Sequence, residues 1–135
     1  MVPTDVREQL DLMHAAAWSA TSPRLLELCR VRVATMLGCT DEAALRTPGS
    51  GVDGATLDAL ADWPSDSRFD AADRACLAFT EHFVIDVATL DDATAETLRE
   101  HLGDEGLVNF TNALLVVEQR IRLRLAWDRL LGERS

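Results

Sequence analysis

The chain has 135 residues, which suits a single domain that buries its own hydrophobic core. Its net charge of −10 argues against nucleic acid as a partner, because an acidic surface repels phosphates. The 13 basic residues are all arginine, which excludes Schiff-base chemistry on a lysine.

The first 40 residues predict two helices in succession. Asp5, with a glutamate three residues later, has the spacing of a capping box, and apolar residues then recur at helical spacing over roughly 5–18. Ser22 is a typical N-cap before a proline, and Gly38 is a typical C-terminal stop. These signals frame a second helix over about 23–37.

The central part of the chain predicts two short helices and one long one. Thr40 can cap a third helix that ends near Arg46, and a loop rich in proline and glycine follows. A brief helix is predicted around 56–61. Asp70 then caps a helix over about 71–87, whose apolar residues repeat at intervals typical of a core helix.

The C-terminal part predicts a surface helix and a long final helix. Asp91 and its neighbours can cap the surface helix, which ends at Gly103, and Asp104 begins a last helix of about 25 residues. No alternating strand pattern, fixed-period repeat or long linker interrupts the chain. The sequence therefore predicts one all-α domain over 1–135, a compact bundle of about six to seven helices.

Two further observations bear on compartment and metal content. No apolar run reaches the roughly 18 residues that a membrane span needs, and the first residues lack the features of a signal peptide, so we expect no membrane partner and a cytoplasmic location. Cys29, Cys39 and Cys76 are odd in number and lack metal-like spacing. They are expected to be reduced thiols, without a metal centre.

The stretch from Glu27 to Cys39 carries a resemblance to a known family. It resembles the signature helix of the carboxymuconolactone decarboxylase and alkylhydroperoxidase D-like family, whose peroxidase branch has a glutamate, eleven residues, and then Cys-x-x-Cys-x-x-x-His. Glu27 and Cys39 keep that separation, but Glu42 stands at the second cysteine and Arg46 at the histidine. The sequence is thus similar to a variant of the family that lacks the dithiol.

The resemblance extends over about 5–130. Asp73–Glu81 is similar to the family's second core helix, and Asn112 and Arg120 match positions on its last helix. The resemblance implies an alkylhydroperoxidase D-like fold, a small-molecule substrate, no cofactor, and assembly into a homo-oligomer, a trimer or hexamer.

Three residues are candidates for catalysis. Glu27 lies among apolar positions, so its burial would raise its pKa and suit proton transfer, although a solvated glutamate or an ion pair with Arg24 or Arg30 is the alternative. Cys39 could act as a peroxidase only with an external thiol, or could simply fill an apolar space. His82 lies on the predicted core helix and could titrate near neutral pH, or could be a hydrogen-bonded core or interface histidine.

Four residues are candidates for substrate binding. Arg46 could bind a carboxylate, or could pair with Glu42 four residues earlier on the same helix. His14 would contact a ligand if the first helix covers a pocket. Arg120 or Arg124 could neutralise an anion by pointing inward, whereas salt bridges along the last helix are the alternative.

These residues leave three functions open. The leading hypothesis is a cofactor-independent enzyme that uses Glu27, with His82 or His14, for general acid/base chemistry on a small organic acid or lactone. The second is a single-cysteine thiol peroxidase acting through Cys39. The third is a non-catalytic small-molecule-binding or scaffold protein, which predicts a filled interior around Glu27 and Cys39.

Overall fold

The computed structural model describes residues 2–132. Six α-helices make up most of this range: α1 Thr4–Ala20, α2 Pro23–Leu37, α3 Thr40–Ala44, α4 Gly54–Asp58, α5 Ala71–Ile85 and α6 Asp92–Leu131. Short 3-10 segments follow α4 and α5, and the described residues contain no strand. None of these helices is both long enough and apolar enough to cross a membrane. The predicted all-α bundle is confirmed.

Helix α2 lies at the centre of the bundle and packs against both α5 and α6. Its bounds agree with the prediction because the predicted caps are present. The Ser22 side chain accepts a hydrogen bond from the Leu25 backbone N–H, Pro23 occupies the first turn, and Gly38 ends the helix in the left-handed conformation at φ 74°. Most of α2 is buried, including its charged Glu27 and Arg30.

Two predicted caps are wrong. Helix α1 begins at Thr4 after Pro3 and has no side-chain cap, so Asp5 does not form a capping box. Cys39, not Thr40, is the N-cap residue of α3, and it makes no side-chain cap hydrogen bond. Helix α3 also ends earlier than predicted, because the backbone of Leu45 is extended.

Helix α5 is the predicted core helix. Asp70 and Asp73 form a reciprocal capping box at its start, and Arg24 of α2 donates to the buried Asp73 carboxylate at 2.8 Å. Farther along α5, the Phe79 ring meets the Phe110 ring of α6 edge to face at 6.3 Å. These contacts join α5 to both of its neighbours.

Helix α6 is divided at Gly103, whose φ of 72° and ψ of 172° are not helical. The break falls where the sequence predicts the end of the surface helix, so two helical parts, 92–102 and 104–131, run on from each other. The second part contributes a buried stripe of Phe110, Leu114, Val117 and Ile121. It packs against α1, α2 and α5, and its C-terminal half lies beside charged residues of α1 and α3.

Candidate functional site

Arg30 is the centre of a charged cluster inside the protein. It is 2% exposed, and its five N–H groups all have acceptors. Nε and Nη2 donate to the two carboxylate oxygens of Glu27 at 2.7 and 3.1 Å, and Nη1 donates to the Glu42 side chain at 3.1 Å. The backbone carbonyls of Glu42 and Leu45 accept the remaining bonds, both at 2.7 Å. Arg30 therefore holds α3 and the residues after it against α2.

Glu27 is completely buried and its carboxylate is saturated with hydrogen bonds. Besides Arg30, the backbone N–H of Thr47 donates to it at 2.9 Å and the Thr47 hydroxyl donates at 2.7 Å. Burial acts to raise the pKa of Glu27, but the bonds from Arg30 and Thr47 outweigh it and the pKa is lowered. The expectation of a raised pKa is therefore wrong, and the alternative of an ion pair with Arg30 is confirmed.

Glu42 links this cluster to the last helix. One carboxylate oxygen faces Arg30, and the other accepts from Arg124 Nη1 of α6 at 2.7 Å. The predicted pair between Glu42 and Arg46 is wrong, because Arg46 is exposed and donates to the backbone carbonyls of Ala43 and Leu45. The side chain at the position of the missing second cysteine is thus an anchor between α2 and α6.

All three cysteines are free thiols in the interior. Burial raises the pKa of Cys29 to about 12 and also raises the pKa of Cys76. Cys39 is 4% exposed at the start of α3, three residues before the ion-paired Glu42. No disulfide joins any of these thiols, in agreement with the expectation of reduced cysteines.

A pocket of about 310 Å³ opens between α1 and the C-terminal part of α6. This is at the lower end of the roughly 300–1,000 Å³ range of small-ligand sites. Its apolar wall consists of Leu10, Met13, Val116, Leu123 and Trp127. Its polar lining consists of Arg7, Asp11, His14, Gln119, Arg120, Arg124 and Asp128. The pocket combines a mostly apolar surface with a group of guanidinium donors.

Arg120 is a cation of the pocket lining that is held by a salt bridge and still has unused hydrogen-bond donors. Its Nη1 donates to Asp11 of α1 at 3.1 Å, and its other N–H groups have no hydrogen-bond partner within residues 2–132. The guanidinium is a planar fork that can grip a carboxylate through two parallel bonds. The sequence left two roles open for Arg120, an inward-facing site for an anion or a salt bridge. In the structure, Arg120 lines a pocket and also forms a salt bridge.

His14 lines the same pocket, and its neighbour fixes its protonation. The Trp18 indole N–H, which can only donate, lies 3.0 Å from His14 Nε2. Nε2 must therefore carry a lone pair, and the proton of the neutral ring is on Nδ1, an atom screened from solvent and without a partner in the described chain. Burial, followed by the charge of Arg120, lowers the pKa of His14, so the ring is neutral at pH 7.

The predicted residues fall into three places. His14 and Arg120 both line the pocket. Glu42 does not line it but accepts a hydrogen bond from Arg124, which does. Glu27 lies farther inside, bonded to Arg30. Cys39 and Arg46 flank α3 and do not line the pocket. His82 is also outside it, because its ring bonds to the Thr89 hydroxyl near the end of α5, at 2.9 Å.

Sequence reasoning missed the central role of Arg30 and the contact between Trp18 and His14. Both have a local signal that could have revealed them. Arg30 follows Glu27 by three residues and Trp18 follows His14 by four, and these are the spacings at which side chains meet on one face of a helix. The bonds from Thr47 have no such signal, because they depend on the path of the loop after α3.

Comparison with known proteins supports the fold. No protein-family model and no curated protein matches the sequence. The structure is similar to the crystal structure of a protein of unknown function from Agrobacterium tumefaciens, proposed to be the antioxidant defence protein AhpD. The TM-score is 0.82 at 18% identity, covering 98% of this chain and 92% of that chain. The chain therefore has an AhpD-like helical fold, and the resemblance predicted from the sequence is confirmed at the level of the fold.

Proposed function

We propose that this protein binds a small organic acid in the pocket between α1 and α6. The observation that carries the proposal is the meeting of an apolar wall with the guanidinium of Arg120 in a cavity of about 310 Å³. The ligand carboxylate would occupy the unused N–H groups of Arg120. Its apolar body would lie against side chains such as Leu10 and Trp127.

The distribution of charge favours an anionic ligand at this place. The whole chain carries a net charge of −10, yet the pocket lining has three arginines against Asp11 and Asp128. Within an acidic protein, a lining whose arginines are not outnumbered by carboxylates is a favourable place for an anion. The neutral imidazole of His14 adds a polar group without adding charge.

The groups expected to transfer protons or electrons already have internal partners. Glu27 is buried, and both of its oxygens accept bonds from Arg30 and Thr47. His14 Nε2 accepts from Trp18, which leaves no free lone pair for a general base. Cys39 is nearly inaccessible. These contacts favour the non-catalytic binding hypothesis over acid/base catalysis or peroxide reduction.

Calorimetric titration with hexanoate and hexanamide tests the proposal. The two probes have the same apolar chain, so a preference for hexanoate measures recognition of the carboxylate. We expect hexanoate to bind at least about tenfold more tightly, and Arg120→Gln to remove most of that preference.

Arg99→Gln is the matched control. Arg99 is also exposed and also pairs with an aspartate, Asp104 at 2.7 Å, but it lies outside this pocket. Its replacement is expected to leave hexanoate binding unchanged. Equal affinity for the acid and the amide, absence of binding, or an equal effect of the two arginine variants would refute the proposed function.

A further inference from the structure

We infer that Asp11 and Glu42 restrict the pocket to ligands that carry a single negative charge. The inference rests on the proposed function, because it specifies the class of acid that the pocket accepts. The two carboxylates belong to different elements, α1 and α3, and each is bonded to one of the arginines of the pocket wall. Together they set how much positive charge a ligand encounters.

Two of the three arginines in the pocket lining are paired with carboxylates. Asp11 accepts from Arg120 Nη1 at 3.1 Å, and Glu42 accepts from Arg124 Nη1 at 2.7 Å. Arg7 is the third arginine of the lining, and Asp128 is the second aspartate. Counted with Glu42 directly behind Arg124, the acidic and basic groups around the pocket are equal in number.

The cavity is small enough to bring both ends of a ligand close to the same charged groups. One carboxylate can use the N–H groups of Arg120 that Asp11 leaves unused. A second carboxylate on the same ligand would have to lie in the same space of about 310 Å³, where Asp128 balances the charge of Arg7 and Glu42 balances that of Arg124. Like charges this close are only weakly screened by salt, because the Debye length is about 8 Å at physiological ionic strength. Because the three arginines around the pocket are balanced by three carboxylates, a dianion would leave two uncompensated negative charges where a monoanion leaves one.

The two carboxylates act at different distances from the ligand. Asp11 lines the pocket and its side chain is 60% exposed, so it faces the ligand directly. Glu42 has a side-chain exposure of 9% and acts through Arg124, which makes it a positioning residue. Loss of either negative charge should make the pocket more tolerant of a dianion.

The experiment compares adipate with its monoamide, adipamate, by calorimetric titration at pH 7.5. The two probes have the same chain and the same number of non-hydrogen atoms, but adipate carries two charges and adipamate one. We expect wild type to bind adipamate about tenfold more tightly. Asp11→Asn and Glu42→Gln should each lower this ratio by about threefold or more.

Matched controls separate the restriction to singly charged ligands, here called the charge rule, from general effects of substitution. Asp104→Asn removes an exposed aspartate paired with an arginine, and Glu118→Gln removes a buried glutamate paired with Arg122, both outside the pocket. Neither should change the ratio. A structural role of Glu42 would lower the affinity for both probes equally and would leave the ratio as in wild type.

The outcomes distinguish this inference from the proposed function. If both probes bind wild type but adipate binds as tightly as adipamate, the charge rule is overturned and acid binding stands. The charge rule is also overturned if neither variant changes the ratio. If Glu42→Gln fails to fold, Asp11→Asn decides alone, because its salt bridge is exposed. If neither probe binds wild type, the proposed function fails and the charge rule fails with it.

Discussion

The charged cluster around Arg30 and the pocket beside Arg120 use the same kinds of residue in opposite ways. In the cluster, Glu27 and Arg30 are 0% and 2% exposed, and every donor and acceptor of their charged groups has a protein partner. At the pocket, Arg120 and His14 keep groups without a protein partner in residues 2–132. A charged group whose hydrogen bonds are all made within the protein serves the fold, whereas one with unused donors can serve a ligand.

The saturation of the cluster follows from its burial. A charge inside a protein is tolerated only when it is paired and hydrogen-bonded, and breaking such a pair leaves an uncompensated charge. Arg30 also spans three pieces of chain, since it binds Glu27 on its own helix, Glu42 on α3 and Leu45 after α3. We therefore assign the cluster to the stability of α3 and its loop, and this assignment can be broken by experiment.

The largest expected effect is that of Glu27→Gln on the free energy of unfolding. The variant removes the negative charge that faces buried Arg30 and places amide N–H groups against the donors of Arg30 and Thr47. The free energy of unfolding should fall by about 3–5 kcal/mol, measured by urea denaturation at pH 7. Glu118→Gln is the control, because Glu118 is also buried but pairs with Arg122, whose side chain is 47% exposed. A loss of about 1 kcal/mol or less is expected there.

A stable Glu27→Gln variant, no worse than the Glu118 control, would contradict the structural assignment. Glu27 would then be available for the proton transfer that its position in the sequence suggested, and the distinction between cluster and pocket would disappear.

An intermediate effect is expected at His14. The pKa of His14 in the folded protein lies below the usual 6.5, so the unfolded chain binds a proton more readily than the folded one. The resulting contribution to the free energy of unfolding is complete above pH 6.5 and is lost as the pH falls through the folded pKa. His14→Gln should lack this loss, as measured by melting temperature against pH. Trp18→Phe removes the hydrogen bond to Nε2, which favours the neutral ring, and should raise the pKa of His14 in an NMR titration.

Trp63→Phe supplies the control for the tryptophan substitution. Its indole N–H donates to Glu81 at 3.1 Å, so the same chemical change is made away from the histidine. A pKa of His14 above 6.5 in the wild-type protein, or equal titration curves in the two variants, would show that Trp18 does not fix the proton of His14.

The smallest expected effect is that of Arg120→Gln on the free energy of unfolding. The Arg120–Asp11 pair has side-chain exposures of 43% and 60%, and exposed pairs contribute little. The free energy of unfolding should change by less than about 0.5 kcal/mol while the preference for hexanoate over hexanamide is lost. A loss comparable to that of Glu27→Gln would place Arg120 with the structural cluster and remove the contrast between the two regions.

Particular residues show how far the sequence could predict the site. The family resemblance directed attention to Glu27 and Cys39, yet Glu27 proved to be an ion-paired structural group and Cys39 lies away from the pocket. His14 and Arg120, which the sequence marked as possible ligand contacts, do line a pocket, although their contact with a ligand stays a prediction. Arg46 was misplaced, since α3 ends before the turn that would bring it over Glu42.

The sequence by itself determined the helical class, the bounds of α2, the break at Gly103 and the absence of a dithiol. These features depend on caps, glycine conformations, apolar periodicity and residue identity, all of which act within a few positions along the chain. Only the tertiary structure decided which charges are paired and which face the pocket. Glu42 and Arg124 are 82 positions apart, and helical periodicity shows which face of a helix turns inward without showing which side chain of another helix it will meet.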